Sequence, residues 1–387
     1  MRNIRVSSAL SRLIKSGQKR LPADSLKGKD FEGIAVFSEK NGNKLGYGYL
    51  SLQNNGLGWF VSPDHQSFDQ DFFITLFQKA KARRTSFEQN QDTTAYRLFN
   101  QDGDGFGGFS VDRYGDFAVF SWYNAFVKKL QETIIVAFRE VWPEIVGAYE
   151  KNRLSGYKGE ISSHLFGQEQ SDPFLVTENG VSYSVFLDEG WMTGIFLDQH
   201  KVRQQLVDGL AKGKSLLNLF SYSAAFSVAA KSGGAKETVS VDLAKRSRAL
   251  SQAHFDANDF DVASDRFVVM DCFEYLRYAK RHNLTFDVIV IDPPSFARNK
   301  KQTFSVAKNY HQLIEGALEV LSDNGVIIAS TNSANLSKQQ FKQELDKGFG
   351  KISHQYVNLY QLPEDYPTIS ADPQSNYLKV YMIKVTK

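Results

Sequence analysis

The sequence predicts an α/β protein whose C-terminal half is a doubly wound, mostly parallel sheet, preceded by smaller β-rich segments. Three observations predict it. From Lys214 onward short apolar strands alternate with polar-faced helices, the pattern of repeated βαβ units. Residues 286–296 read F-D-V-I-V-I-D-P-P-S-F, a β-branched-rich strand covered on both faces and stopped by a prolyl pair. Residues 31–61, by contrast, alternate apolar and polar around Gly/Asn turns, as a small antiparallel unit does.

The elements follow in order. Strands G-I-A-V-F, L-G-Y-G-Y-L-S-L and G-W-F-V are separated by the turns N-G-N and N-N-G. Residues 69–84 carry apolar side chains at helical spacing (Phe72, Phe73, Leu76, Phe77, Ala80). Strands return over 95–122 around the glycine-rich turn Q-D-G-D-G-F-G-G, and 127–142 is expected as one amphipathic helix ended by Pro143. Glu178-Asn179-Gly180 marks a hairpin. Parallel strands are expected at 215–219, 238–241, 267–270, 286–291 and 326–329. The last two, 352–360 and 377–385, have no helix between them and form an antiparallel edge pair. This divides the chain into 1–68, a small β unit; 69–185, a linker helix and an α+β segment; and 186–387, the doubly wound domain.

With 387 residues, 42% of them apolar, the chain has material for two or three cores. Lys+Arg 46 against Asp+Glu 43 is nearly balanced, so bulk charge does not announce a nucleic-acid binder. Cations cluster locally, at Arg2, Arg5, Arg12, Lys15, Lys19, Arg20, Lys27 and Lys29, and again at Lys79, Lys81, Arg83 and Arg84. A single Cys excludes an internal disulfide framework and any Cys-based zinc cluster, and the seven His lack metal-ligand spacing, so no metal is expected. Asp102-Gly103-Asp104-Gly105 begins like a calcium loop, but Phe106 and Arg113 stand where ligands would be needed. Without an apolar h-region or a bilayer-spanning run, the chain reads as cytoplasmic, with no membrane partner and room for a homodimer.

The chemistry gathers at the strand ends. Open α/β sheets bind ligands outside the carboxyl ends of their strands. Strand 215–219 runs into Phe220-Ser221-Tyr222-Ser223 without the glycines that a pyrophosphate requires, which disfavours NAD. The next strand ends in Asp242, placed for ribose hydroxyls, and the third in Asp271, placed for an adenine amino group. Either Asp taken singly reads equally as a helix N-cap. Three acidic strand ends in successive units (Asp242, Asp271, Asp292) describe a pocket for S-adenosylmethionine.

N-L-F-S-Y-S-A-A-F (218–226), S-V-D (240–242), D-P-P-S-F-A-R-N-K (292–300), T-G-I-F-L-D-Q-H-K-V-R (193–203) and 95–115 resemble the bacterial 23S rRNA large-subunit methyltransferase I (RlmI)-like family. The resemblance covers about the last three quarters of the chain. It implies an N-terminal PUA-like β-barrel, a central α+β domain and a C-terminal class I methyltransferase domain with a Rossmann-like seven-stranded sheet. It also implies that Phe196, Gln199 and Arg203 help close the cofactor site, with Leu243 and Cys272 beside the acidic strand ends. Ala224-Ala225 departs from the Gly-Gly expected there.

C5 methylation of a pyrimidine needs a thiolate. The only Cys is Cys272, on the adenine side, and Asn332 stands where Cys-dependent relatives carry their nucleophile. In this the chain is closer to the RlmK half of RlmKL, whose product is 7-methylguanosine. The expected base pocket is Asp292, Pro293, Pro294, Phe296 and Asn332, with Arg298, Lys300 and Lys301 available for phosphates of 23S rRNA. Two alternatives stay open, a 5-methylcytosine rRNA methyltransferase and a non-catalytic RNA-binding protein on a degenerate methyltransferase fold. A small-molecule methyltransferase would leave the extra domains unexplained.

Overall fold

The computed structural model describes residues 1–26, 32–53, 56–65, 67–298 and 303–387. Lys27, Lys29, Lys300 and Lys301, the Asn54-Asn55 turn and the side chain of Arg298 lie outside the described residues. The chain forms two compact units. One comprises Met1–Val176, Val185–Thr193 and Glu364–Ser375; the other comprises Thr177–Ser184, Gly194–Pro363 and Asn376–Lys387.

The first unit holds two five-stranded sheets. In the N-terminal one, Gly33–Ser38, Lys44–Gln53 and Gly56–Ser62 form the expected antiparallel meander. Two strands not foreseen, Arg2–Arg5 and Arg20–Pro22, complete its edges, joined by a helix, Ser8–Lys15, that Ser7 caps. Such short strands leave no room for an alternation to show. The helix Gln70–Arg83 is capped by Asp69, whose carboxylate accepts the Phe72 N–H. The expected single helix at 127–142 is two, Ala125–Lys129 and Gln131–Val141. Leu130 joins them with ψ near 3°, outside the helical well.

The second basic cluster is only partly a cationic surface: Lys79 and Arg83 are exposed, while Arg84 and Lys81 are tied to partners within the unit. Arg84 is fully buried, and its guanidinium is paired with Asp104 at 2.7 Å and donates to the Asp365 carbonyl. Lys81 meets Glu144 at 2.9 Å. The residues that suggested a calcium loop form a short 3-10 turn, Gln101–Asp104, whose buried Asp104 faces Arg84. Phe73, Phe77, Phe109, Trp122, Phe138 and Trp142 fill the core of this unit. Each such side chain stabilises the fold by about 1.5–3 kcal/mol.

The second unit is built on a seven-stranded sheet. Its strands are β1 (Ser215–Leu219), β2 (Glu237–Asp242), β3 (Arg266–Val269), β4 (Phe286–Ile291), β5 (Leu321–Thr331), β6 (Ser353–Tyr360) and β7 (Lys379–Thr386). Their order is β3-β2-β1-β4-β5-β7-β6, with β1 to β5 mutually parallel and β7 antiparallel to both its neighbours. This is the class I methyltransferase sheet, with the antiparallel edge pair foreseen from the sequence. Strand order reverses between β1 and β4, the switch point where doubly wound sheets take ligands. In register, Leu219 lies opposite Val241 and Ile291, and Ile291 opposite Ala329. The loops beginning at Phe220, Leu243, Asp292 and Asn332 therefore leave one edge of the sheet together. Among the described residues no helix is long and apolar enough to cross a membrane, and no cluster of His, Cys, Asp or Glu could hold a metal ion.

Candidate active site

The loop after β1 takes an uncommon path. Phe220, Tyr222 and Ala224 all have left-handed backbone, with φ of 59°, 50° and 61°. A non-glycine residue in that region costs about 1–2 kcal/mol, so the path persists only because neighbours hold it. The Phe220 N–H donates to Cys272 Sγ (3.3 Å), the Ser221 N–H to the Val241 carbonyl (3.0 Å) and the Tyr222 N–H to Asp242 Oδ2 (2.9 Å). The Ala224 N–H closes back on the Ser221 carbonyl at 2.7 Å, and Ser223 Oγ donates to the Gly194 carbonyl. Ala224 thus occupies the conformation for which glycine is the ordinary residue, without disrupting the loop.

Asp242 ends β2. Its Oδ2 accepts from Tyr222 and its Oδ1 from the Ala244 N–H at 2.8 Å. Each carboxylate oxygen has a second lone pair, so the pair suits a vicinal diol such as ribose. Asp271 is an N-cap: Oδ1 accepts from the Phe273 and Glu274 N–H groups at 3.0 and 3.1 Å, opening helix Cys272–Arg281. The Cys272 side chain points into the core, 3% exposed, and burial pushes its thiol well above the ordinary range. Leu243 is exposed.

Across this loop the Phe196 ring lies 5.4 Å from the Tyr222 ring and is half exposed. Arg203 holds it from behind. Its guanidinium is buried, donates to both oxygens of Glu178 at 2.6 Å and reaches the Phe196 carbonyl at 2.8 Å. Burial disfavours the Arg203 charge, and the Glu178 carboxylate beside it more than offsets that, holding the guanidinium above its ordinary range. The Arg203 side chain is committed to these partners, so its influence on the site passes through Phe196.

At the end of β4, Gln199 Nε2 donates to Asp292 Oδ2 at 2.8 Å. Burial pushes the Asp292 carboxyl up to about 6, against hydrogen bonds from Ser330 and Gln199, with Asp198 adding to the rise. The hydroxyl of Tyr310 bridges the Ile291 and Ser330 carbonyls at 2.8 and 3.0 Å, tying β4 to β5 just below the loops. Ser295 Oγ then donates to Asn332 Oδ1 at 2.8 Å, joining the segment after Pro293-Pro294 to the loop after β5. Phe296 is 63% exposed, an available stacking face instead of a core residue. The structure therefore brings Asp292, the prolyl pair, Ser295 and Asn332 together, with Gln199 against them. Glu178, Asp198, Ser295 and Tyr310 were not among the expected site residues, although Asp198 and Ser295 lie within the segments that carry the resemblance. Each is linked to the site by partners distant in the chain.

The donor set fits S-adenosylmethionine. A diol-ready carboxylate, a second acidic strand end, a glycine-poor loop unsuited to pyrophosphate and the half-exposed Phe196 ring against Tyr222 surround one sheet edge. A family model described as S-adenosylmethionine-dependent methyltransferase matches residues 151–383. The chain is 41% identical to YwbD of Bacillus subtilis (strain 168), named as a candidate ribosomal RNA large subunit methyltransferase, over 99% of this chain and all of that one. It is 31% identical to ribosomal RNA large subunit methyltransferase I of Aeromonas salmonicida (strain A449), covering 82% of each. The crystal structure of SMU.776, described as a candidate methyltransferase complexed with SAH, superposes with a TM-score of 0.96 at 53% identity over all of both chains. The chain belongs to the S-adenosylmethionine-dependent methyltransferases, within the ribosomal RNA large subunit methyltransferase I-like family.

Proposed function

We propose that this enzyme methylates N7 of a guanine in 23S rRNA during assembly of the large subunit in the cytoplasm. An rRNA substrate is supported by the names of its relatives. The cofactor side of the site is read as Phe196, Gln199, Phe220–Ser223, Asp242, Leu243 and Asp271, with Arg203 and Cys272 supporting it from the interior. The base side is read as Asp292, Pro293, Pro294, Phe296 and Asn332. When bound, S-adenosylmethionine supplies a methyl group on a cationic sulfur, electrophilic enough for an unactivated ring nitrogen.

The observation that carries the choice of N7 is the pairing of Asn332 with Ser295 where a nucleophile would otherwise stand. Guanine N7 has an in-plane lone pair, so the chain needs neither a thiolate nor a general base there. Its residues have only to hold the ring in line and exclude water. Cys272 is buried, with its sulfur accepting from Phe220, which argues against covalent addition to a pyrimidine. Phe296 offers a stacking face for an extruded base. Alkylated guanine is cationic at the ring, and an ionised Asp292 beside it would stabilise the developing charge. Nucleoside mass spectrometry of rRNA from a strain lacking the gene tests the reading. Loss of one 7-methylguanosine is expected; loss of 5-methylcytidine with 7-methylguanosine intact would overturn it.

A further inference from the structure

We propose that Tyr377 and Lys379 are positioning residues that set the spacing between the Asp292 wall and the Asn332 wall of the base pocket, a proposal resting on the pocket assignment above. The two residues flank the buried Leu378 at the entry to β7, the antiparallel strand inserted next to β5. Residues at i and i+2 on extended chain share a face, so both side chains can work on one side while Leu378 packs into the core.

Each holds one wall. The Tyr377 hydroxyl donates to Asp198 Oδ2 at 2.8 Å, and Asp198 precedes Gln199, whose amide grips Asp292. Lys379 Nζ donates to the Ser333 carbonyl at 2.8 Å and to the Tyr377 carbonyl at 3.0 Å. Ser333 follows Asn332 directly. Its N–H donates to Thr331 Oγ1 at 3.2 Å and its carbonyl also accepts from Leu336, so the ammonium pins the turn that presents Asn332. The second bond of Lys379, to Tyr377, links the two arms. One tripeptide thus fastens both walls to a single strand.

A buried lysine is a costly way to fill space, because its charge must leave water. Lys379 is 3% exposed. An apolar residue in its place would spare that desolvation but would leave the Ser333 and Tyr377 carbonyls without this donor. The side chain is therefore best explained by what it holds. Both arms end at residues of the base side: the Asp198 arm through the Gln199 amide on Asp292, and the Lys379 arm on the Ser333 carbonyl next to Asn332.

The test uses the full chain, with S-adenosylhomocysteine binding followed by calorimetry and single-turnover methyl transfer followed on large-subunit particles and rRNA from the deletion strain. Tyr377→Phe and Lys379→Met should bind S-adenosylhomocysteine within about twofold of the parent yet transfer the methyl at least about tenfold more slowly. Because the hydroxyl acts through Asp198, the Tyr377→Phe/Asp198→Ala double variant should be no slower than its slower single parent. Unchanged transfer, parallel losses of binding and transfer, or additive effects in the double variant would overturn the proposal. If Lys379→Met does not fold, Tyr377→Phe, which deletes one hydroxyl, decides alone. Asn332→Ala is measured alongside. Full activity there would overturn the pocket assignment, whereas an impaired Asn332→Ala beside an unimpaired Tyr377→Phe would overturn this inference only.

Discussion

Gln199 Nε2 sits 2.8 Å from Asp292 Oδ2, so the end of β4 is held by a side chain from the segment that precedes the whole sheet. With Ser330, that contact anchors a carboxyl that burial pushes from 3.8 to about 6. Between about pH 4 and 6 the native chain keeps a proton that the unfolded chain has released. The unfolded state then binds fewer protons, and stability falls as pH rises through this window and levels off above it. Asp292→Asn should accordingly stabilise the domain at pH 7.5, on the order of 1–3 kcal/mol, and have little effect near pH 4. Thermal denaturation at the two pH values checks this. Methyl transfer by the parent should rise through pH 6 as Asp292 ionises and be largely lost in Asp292→Asn.

Cys272→Ser should retain most of the turnover, because the thiol is buried and bonded to the loop after β1. Stability should drop by about 1–3 kcal/mol, since a hydroxyl replaces a sulfur among apolar neighbours. In the native parent, iodoacetamide should modify Cys272 far more slowly than in the unfolded chain. Fast native labelling, or a trapped RNA–Cys272 adduct, would return C5 chemistry to consideration.

The acidic strand ends were legible because strand periodicity and the strand-end rule together locate them without any knowledge of partners. What was not legible is contact between segments far apart in the chain. Arg203 and Glu178 are separated by 25 residues, Lys379 and Ser333 by 46, and Tyr377 and Asp198 by 179. The same limit explains Arg84, which reads as one more cation of a basic run until Asp104 and Asp365 close around it. Asp271 shows the converse: its capping role is local and readable, and the structure has it capping. The left-handed path at Phe220 and Tyr222 gave no signal, because glycine is the usual marker and neither is one; at Ala224 only the resemblance, which expects glycine there, pointed to it.

Ala224→Gly should stabilise the protein by about 0.5–1 kcal/mol. Relief of the left-handed strain at φ 61° is partly offset by the greater freedom of glycine in the unfolded chain. For a domain of this size that is a rise in Tm of a few degrees, roughly 1–4 °C. Cofactor affinity should be unchanged, because the loop keeps its path. A fall in Tm would mean that the alanine methyl contributes more by packing than its backbone costs.

Glu178→Gln leaves the Arg203 guanidinium buried beside a neutral amide. Breaking a buried pair from one side typically costs about 3–5 kcal/mol, with the retained amide oxygen placing this change toward the low end. Chemical denaturation measures it. The second effect is at the site. With its guanidinium no longer fixed by two bonds of 2.6 Å, Arg203 holds the Phe196 carbonyl less firmly, and the ring facing Tyr222 is freed to move. S-adenosylhomocysteine affinity should fall while the folded fraction at 20 °C stays high, a separation that calorimetry on the folded variant reads directly. Unaltered affinity would confine Glu178 and Arg203 to a purely structural role and remove Phe196 from the cofactor side.

Asn332→Ala is the most direct probe of the proposed base pocket. Asn332 is exposed, and its Oδ1 is engaged by Ser295, so truncation costs the fold little and leaves the cofactor side untouched. The amide nitrogen is the donor that a base edge can use, and the Ser295 bond fixes which way it points. Removing both loses one substrate hydrogen bond and the tie between two loops. Transfer should slow by about one to two orders of magnitude with S-adenosylhomocysteine affinity within about twofold. Asn332→Cys separates the chemistries. If N7 is the acceptor, a thiol there has nothing to attack, and the product of any residual turnover remains 7-methylguanosine. If that variant instead forms a covalent RNA adduct or yields 5-methylcytidine, the pocket receives a pyrimidine, and positioning alone is not how this site works.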